Sequence, residues 1–200
     1  MKIKNIVFDL GGVLVDWNPR YLYRDIFEDE QEMEYFLENI CSHEWNIQQD
    51  AGRPFEDAIE LLQSKYPTYA AEIRLFREEW EKMLGGEIQE NVKMIQPLKS
   101  KYKVYALTNW SAETYPIAEV RYDFLKEFEG IIVSGIEKMY KPKKNIYKLL
   151  LHRFKLKAEE CLFIDDNADN IRTADKLGFS TIHFVEGMVL ENEINKLNLI

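Results

Sequence analysis

Short apolar runs separated by polar, helix-spaced stretches set the outline of this chain. IVF at 6–8, KVYAL at 103–107, GIIVS at 130–134, CLFID at 161–165 and STIHFV at 180–185 are too short for helices. Their β-branched and aromatic content predicts strands. Alternating with them are NVKMIQPLKSK, NIYKLLLHRF and NADNIRTADKLG, whose apolar residues recur at three- and four-residue spacing, the mark of amphipathic helices. Strands alternating with helices predict a parallel sheet covered on both faces. The first strand must join that sheet, because alone it has no partner.

Between about 19 and 85 the texture differs. FEDAIELLQSKY places Phe55, Ile59 and Leu62 on one helical face, and AAEIRLFREEWEKML does the same with Ile73, Phe76, Trp80 and Leu84. The segment predicts helix after helix and no strand, with Gly85-Gly86 as a stop. The expected fold class is α/β, a Rossmann-like, doubly wound parallel sheet core with an inserted all-helical cap domain. Residues 1–16 and 87–200 would form the core and 17–86 the cap. The cap would sit near the carboxyl end of the first strand, where ligands bind in such sheets.

Composition narrows the partners. With 35 acidic and 26 basic residues the formal net charge is -9, which argues against nucleic acid or an anionic membrane as a partner. The two cysteines, Cys41 and Cys161, and the three histidines, His43, His152 and His183, are scattered. They fit neither a metal-type spacing nor a structural disulfide. The apolar run behind MKIKN is broken by Asp9, so no signal peptide is expected, and no stretch reaches the length of a membrane span. The expected setting is cytoplasmic, as a monomer or homodimer.

The predicted strands end on polar groups: Asp9, Thr108-Asn109 and Asp165-Asp166, with Lys141-Pro142 shortly after the GIIVS strand. If these ends converge, carboxylates, a hydroxyl, an amide and an ammonium surround one cavity. Clustered carboxylates repel one another unless a cation sits among them. A hard divalent ion such as Mg²⁺, which accepts few carboxylates plus water and a phosphate, suits that set. Lys141 and Thr108 would hold the remaining phosphate oxygens, helped by Asn109 and by amides of a helix starting just after it.

In order and spacing these residues resemble the motifs of the haloacid dehalogenase superfamily, which is mostly phosphatases. Asp9 matches the nucleophile of the first motif, Thr108 the hydroxyl of the second, and Lys141 the lysine of the third. Asp165-Asp166 with Asn170 match the acidic fourth motif. The resemblance covers nearly the whole chain, and the helical segment between the first and second motifs matches the cap of one large subgroup. DLGGVLVDW and FIDDNADNI look most like the bacterial branch that includes the glucose-1-phosphate phosphatases. The resemblance implies a phospho-aspartate at Asp9 that water then hydrolyses. It also implies Mg²⁺ held by Asp9, the Gly11 carbonyl and Asp166, with Asp165 and Asn170 just behind. The substrate would be a small phosphate ester, such as a sugar phosphate.

One position departs from the pattern. Family phosphatases carry an aspartate two residues after the nucleophile as general acid, and here that residue is Gly11. Such help is worth roughly 10²–10⁴-fold, so alkyl phosphates would suffer most and aryl or anomeric phosphates least. Asp16, Asp50 or a water is left to substitute. A 2-haloacid dehalogenase, using Asp9 without metal, is compatible with Gly11, but the Asp165-Asp166 pair would repel substrate carboxylate and halide. A non-catalytic phosphometabolite-binding module is the third reading. The plainer roles are a capping turn for Asp166 or Asn167, a solvated surface for Lys141 among Lys138, Lys143 and Lys144, and a strand-end hydrogen bond for Thr108. Trp17, Trp45 and Trp110, with Asp50 and Arg53 in QQDAGRP, would flank the cavity or simply pack.

Overall fold

In the computed structural model, which describes residues 2–200, the strands are β1 (Asn5–Phe8), β2 (Val15–Trp17), β3 (Leu84–Glu87), β4 (Lys103–Thr108), β5 (Gly130–Val133), β6 (Cys161–Asp165) and β7 (Ser180–His183). Five of them form one sheet in the order β5-β4-β1-β6-β7, and every pairing is parallel. The central strands are apolar along their middles because both faces are covered. Ile6, Phe8, Val104, Ala106, Leu162 and Ile164 join one hydrophobic cluster, while Val7, Tyr105, Leu107 and Phe163 join the other. Helices Lys144–Arg153 and Ala168–Lys176 bring Ile146, Tyr147, Leu150, Ile171 and Ala174 to the second cluster.

The chain starts in the middle of this sheet, winds outward through β4 and β5, then returns to the other flank of β1 for β6 and β7. Winding therefore reverses at β1, and a crevice opens beyond the carboxyl ends of β4, β1 and β6.

Helices Glu30–Asn39, His43–Asp50, Phe55–Lys65 and Ala70–Glu78 lie between β2 and β3. Asp29 and Ser42 start the first two by accepting hydrogen bonds from the Gln31 and Trp45 amides at 2.9 and 3.3 Å, the usual N-cap arrangement. Phe55, Ile59, Leu62, Ile73, Phe76, Trp80 and Leu84 are all buried, as their spacing predicts. They share a continuous cluster with one face of the sheet through Leu10, Val13 and Leu14.

Two expectations need correction here. The helix expected to run to Leu84 ends at Glu78, followed by a 3₁₀ turn, Trp80–Met83. Gly85 and Gly86 do not stop a helix. They lie in β3, which pairs antiparallel with β2. Asp16 packs so closely there that a Cβ on Gly85 would stand 2.3 Å from its Oδ2. A four-residue strand with two glycines has no side-chain alternation to show in the sequence.

Candidate active site

Asp9 follows β1, Thr108 ends β4 and Asp165 ends β6. Because these strands are neighbours, the three side chains arrive together at the switch point. Lys141 reaches them from the loop beyond the short helix Ser134–Glu137. Its side chain is fully buried, with Nζ 2.8 Å from Asp9 Oδ2 and 2.7 Å from Asp165 Oδ2. Asn109 fixes that loop: its Oδ1 accepts from the Lys141 amide at 2.8 Å and its Nδ2 donates to the Lys141 carbonyl at 2.9 Å. Lys141 is thus a buried cation, not a solvated one. The helix expected directly after Asn109 begins only at Tyr115, and the Trp110 amide donates to Ser134 Oγ at 2.9 Å. No helix therefore starts beside Asn109, and the next amide, that of Trp110, is already committed.

Asp165 is saturated. Oδ1 accepts from the Asn167 amide at 2.8 Å and from Asn170 Nδ2 at 2.9 Å, and Oδ2 accepts from Lys141 and, at 3.1 Å, from Asn170. Asn167, not Asp166, caps the helix Ala168–Lys176, accepting from the Asp169 amide at 2.8 Å. That leaves the Asp166 carboxylate without a side-chain donor among the described residues, while its backbone carbonyl lies 2.9 Å from His183 Nε2. Thr108 is fully buried, and its Oγ1 has no partner among the described residues. A buried hydroxyl left unpaired is costly unless a ligand completes it.

The charges do not balance. Oxygens of Asp9, Asp165 and Asp166 lie within 4.8 Å of one another, against the single ammonium of Lys141. Burial, aided by Asp165 and Asp166 and opposed by Lys141, raises the Asp9 pKa well above the ordinary carboxylate value. Burial and then Asp165 raise Asp166. Burial alone would lower Lys141, but Asp165 and Asp9 hold it above the usual lysine value. A cluster short of positive charge, with oxygen donors only, fits a hard cation. The loop is shaped to match: a Cβ on Gly12, at φ 72°, would stand 2.2 Å from Asp166 Oδ2.

Above these groups lies a cavity of about 260 Å³, with Asp9, Gly11, Asp166 and Asn170 on one side. Trp17, Trp80, Trp110, His43, Asn46, Ile47 and Asp50 form the other walls. Of the residues that would either flank the cavity or simply pack, Trp17, Trp110 and Asp50 line it, while two others do not. Trp45 packs edge-on against Phe76 at 5.1 Å, and Arg53 donates to Gln49 Oε1 at 2.7 Å and to the Trp45 carbonyl at 3.1 Å. Trp80, His43, Asn46 and Ile47 escaped the sequence reading. Yet His43, Asn46, Ile47 and Asp50 recur at i, i+3, i+4 and i+7 of one helix, so a mostly polar face was there to be found.

The chain belongs to the haloacid dehalogenase-like hydrolases: that family's model matches residues 3–178. It is 26% identical to a sesquiterpene phosphatase of Aspergillus oryzae, over 97% of this chain and 96% of that one. It is 25% identical to a phosphorylated carbohydrates phosphatase of Thermotoga maritima, over 90% of this chain and 84% of that one. The fold is similar to that of a haloacid dehalogenase family enzyme from Bacteroides thetaiotaomicron solved as a magnesium complex. There the TM-score is 0.77 and the identity 22%, covering 97% of this chain and 99% of that one. No helix among the described residues is long and apolar enough to cross a membrane.

Proposed function

We propose that this hydrolase is a Mg²⁺-dependent phosphatase of a small phosphorylated metabolite, with Asp9 as nucleophile. The observation that carries the reading is the junction of Asp9, Lys141, Asp165, Asp166 and the unpartnered Thr108 hydroxyl at three adjacent strand ends. Asp9 attacks phosphorus and displaces the ester oxygen, and water then hydrolyses the phospho-aspartate. Lys141, held by Asp165 and Asn109, offers its charge to the phosphoryl oxygens and to Asp9. Thr108 Oγ1 donates to a phosphoryl oxygen and gains the partner it lacks. Asp9, the Gly11 carbonyl and Asp166 would hold Mg²⁺, with Asp165 and Asn170 behind them. When bound, the ion neutralises charge on the transferring group and on the carboxylates.

The helices between β2 and β3 act as a cap over the cavity and exclude bulk water. Its volume falls below the roughly 300–1,000 Å³ of drug-sized sites, which supports a small substrate. Aromatic and polar walls together suit a sugar or a compact terpene; the two relatives are named for phosphorylated carbohydrates and for a sesquiterpene. A dehalogenase is disfavoured, because the free carboxylate of Asp166 would repel the departing halide.

The test is phosphate release from 4-nitrophenyl phosphate, sugar phosphates and a prenyl phosphate, with Mg²⁺ or chelator. Asp9→Asn should lower kcat by about 10³-fold or more, and chelator should abolish turnover. Activity that survives both changes would sink the reading. Chloride release from 2-haloacids without metal would replace it with a dehalogenase.

A further inference from the structure

Phosphate esters with poor leaving groups need a proton on the departing oxygen, and position 11 supplies none. The space is open there: a Cβ on Gly11 would meet nothing within 4 Å. Asp16 is excluded by its surroundings. It lies on β2, outside the cavity wall, with Oδ2 accepting from the Tyr21 hydroxyl at 2.6 Å and pressed against Gly85. The carboxyl groups that line the cavity are Asp9, Asp166 and Asp50. The first two belong to the strand ends. Asp50 comes from the helical segment, at the end of His43–Asp50.

We infer that the Asp50 carboxyl group is the general acid of this site, giving its proton to the leaving-group oxygen as the bond to phosphorus breaks. The inference rests on the phosphatase reading above. Asp50 is oriented from its own helix, where Asn46 Nδ2 donates to Oδ2 at 3.2 Å. The Ser111 amide, in the loop after β4, lies close to the carboxyl group. Burial pushes its pKa up to about 7, opposed only by the Ser111 amide. Neighbouring charges are directed elsewhere: Arg53 to Gln49 and Trp45, and Glu113 to the Phe55 amide and Arg77. His43 comes from the same helix, and Asp9 and Asp166 line the same cavity.

The chemistry balances in two steps. As Asp9 forms its bond to phosphorus, the ester P–O bond breaks, and the Asp50 proton converts the departing oxygen to an alcohol. Asp50, now a carboxylate, takes a proton from the water that attacks phosphorus, which frees Asp9 and inorganic phosphate and restores the acid. A group with a pKa near the working pH suits both directions.

Asp50→Asn keeps the shape and an oxygen that can accept from Asn46 Nδ2 but has no acidic proton to give, and so separates this role from a structural one. Wild type and variant are compared on 4-nitrophenyl phosphate, whose leaving group departs unprotonated, and on the alkyl phosphate of the panel that wild type hydrolyses fastest. The expected result is a loss of about 10²–10⁴-fold in kcat on the alkyl ester and less than about fivefold on the aryl ester. In wild type, kcat on the alkyl ester should fall above about pH 7 as Asp50 loses its proton, and that limb should vanish in Asp50→Asn. Adding Gly11→Asp to Asp50→Asn should restore alkyl turnover. Equal losses on both esters, no loss, or a wild type that hydrolyses only the aryl ester would overturn the role of Asp50 and leave the phosphatase standing. Inactivity of wild type on every phosphate would overturn both. If Asp50→Asn does not fold, a wild-type alkyl-ester profile with no fall above about pH 7 still overturns the role of Asp50.

Discussion

Two adjacent glycines stand in opposite surroundings. At Gly12 the backbone is left-handed, with φ 72°, and an added Cβ would overlap Asp166 at 2.2 Å; at Gly11 φ is not left-handed and the same atom would meet open space. Strain of this kind costs of order 1–3 kcal/mol, and the overlap would also push Asp166 from its place beside Asp9. Gly12→Ala should therefore lower Tm and weaken Mg²⁺ binding measured by calorimetry. Gly11→Ala, which only restricts the unfolded chain, should raise stability by about 0.4–1 kcal/mol. Equal Tm values for the two variants would show that the loop adjusts and that Gly12 is not shaped around Asp166.

At the scale of elements, the turn from β6 into helix Ala168–Lys176 does two jobs with one residue. The Asn167 side chain caps the helix, while its amide donates to Asp165 Oδ1 at 2.8 Å. Asn167→Ala should cost about 1 kcal/mol, and Asn167→Asp, which keeps the cap, should recover most of it in a denaturation experiment. A null effect of Asn167→Ala would mean that Asp165, not the cap, holds the turn. The sheet itself was legible, because covered strands have apolar middles and fall between helix-spaced stretches. The β2–β3 ribbon was not, since glycines carry no alternation. The motif residues Asp9, Thr108, Lys141, Asp165, Asp166 and Asn170 were legible as a set and in order. Singly they were not: Lys141 among Lys138, Lys143 and Lys144 is distinguished only by burial, which long-range pairing with Asp9 and Asp165 decides. Trp80 fits a helix-core spacing equally well, and only the 3₁₀ turn at Trp80–Met83 brings it to the cavity wall.

For the whole molecule, the cavity exists only where the helical segment meets the sheet, so the contacts between them set who enters. The hydrophobic cluster is continuous across that boundary and supplies adhesion, which is non-directional. Direction comes from a few polar contacts. Glu113, in the loop after β4, accepts from the Phe55 amide at 2.8 Å and from Arg77 Nε at 3.3 Å. The Phe55 amide is the first of its helix, and Pro54 before it offers no side-chain cap. A residue of the sheet side therefore caps a helix of the other side. The Arg77 pair is partly exposed and worth little, but loss of the cap should cost about 1 kcal/mol. Glu113 does not line the cavity, so its removal acts through the placement of the cavity walls. Glu113→Ala should raise KM several-fold for the best substrate of the panel, shift Tm by only about 2–4 °C, and leave the ratio of alkyl to aryl turnover near that of wild type. Glu113→Gln, which can still accept from the Phe55 amide, should restore KM. Lower Tm with unchanged KM would mean that the apolar cluster alone fixes the two parts and that Glu113 only caps a helix. An altered alkyl-to-aryl ratio would mean that the contact also aligns the Asp50 wall with Asp9.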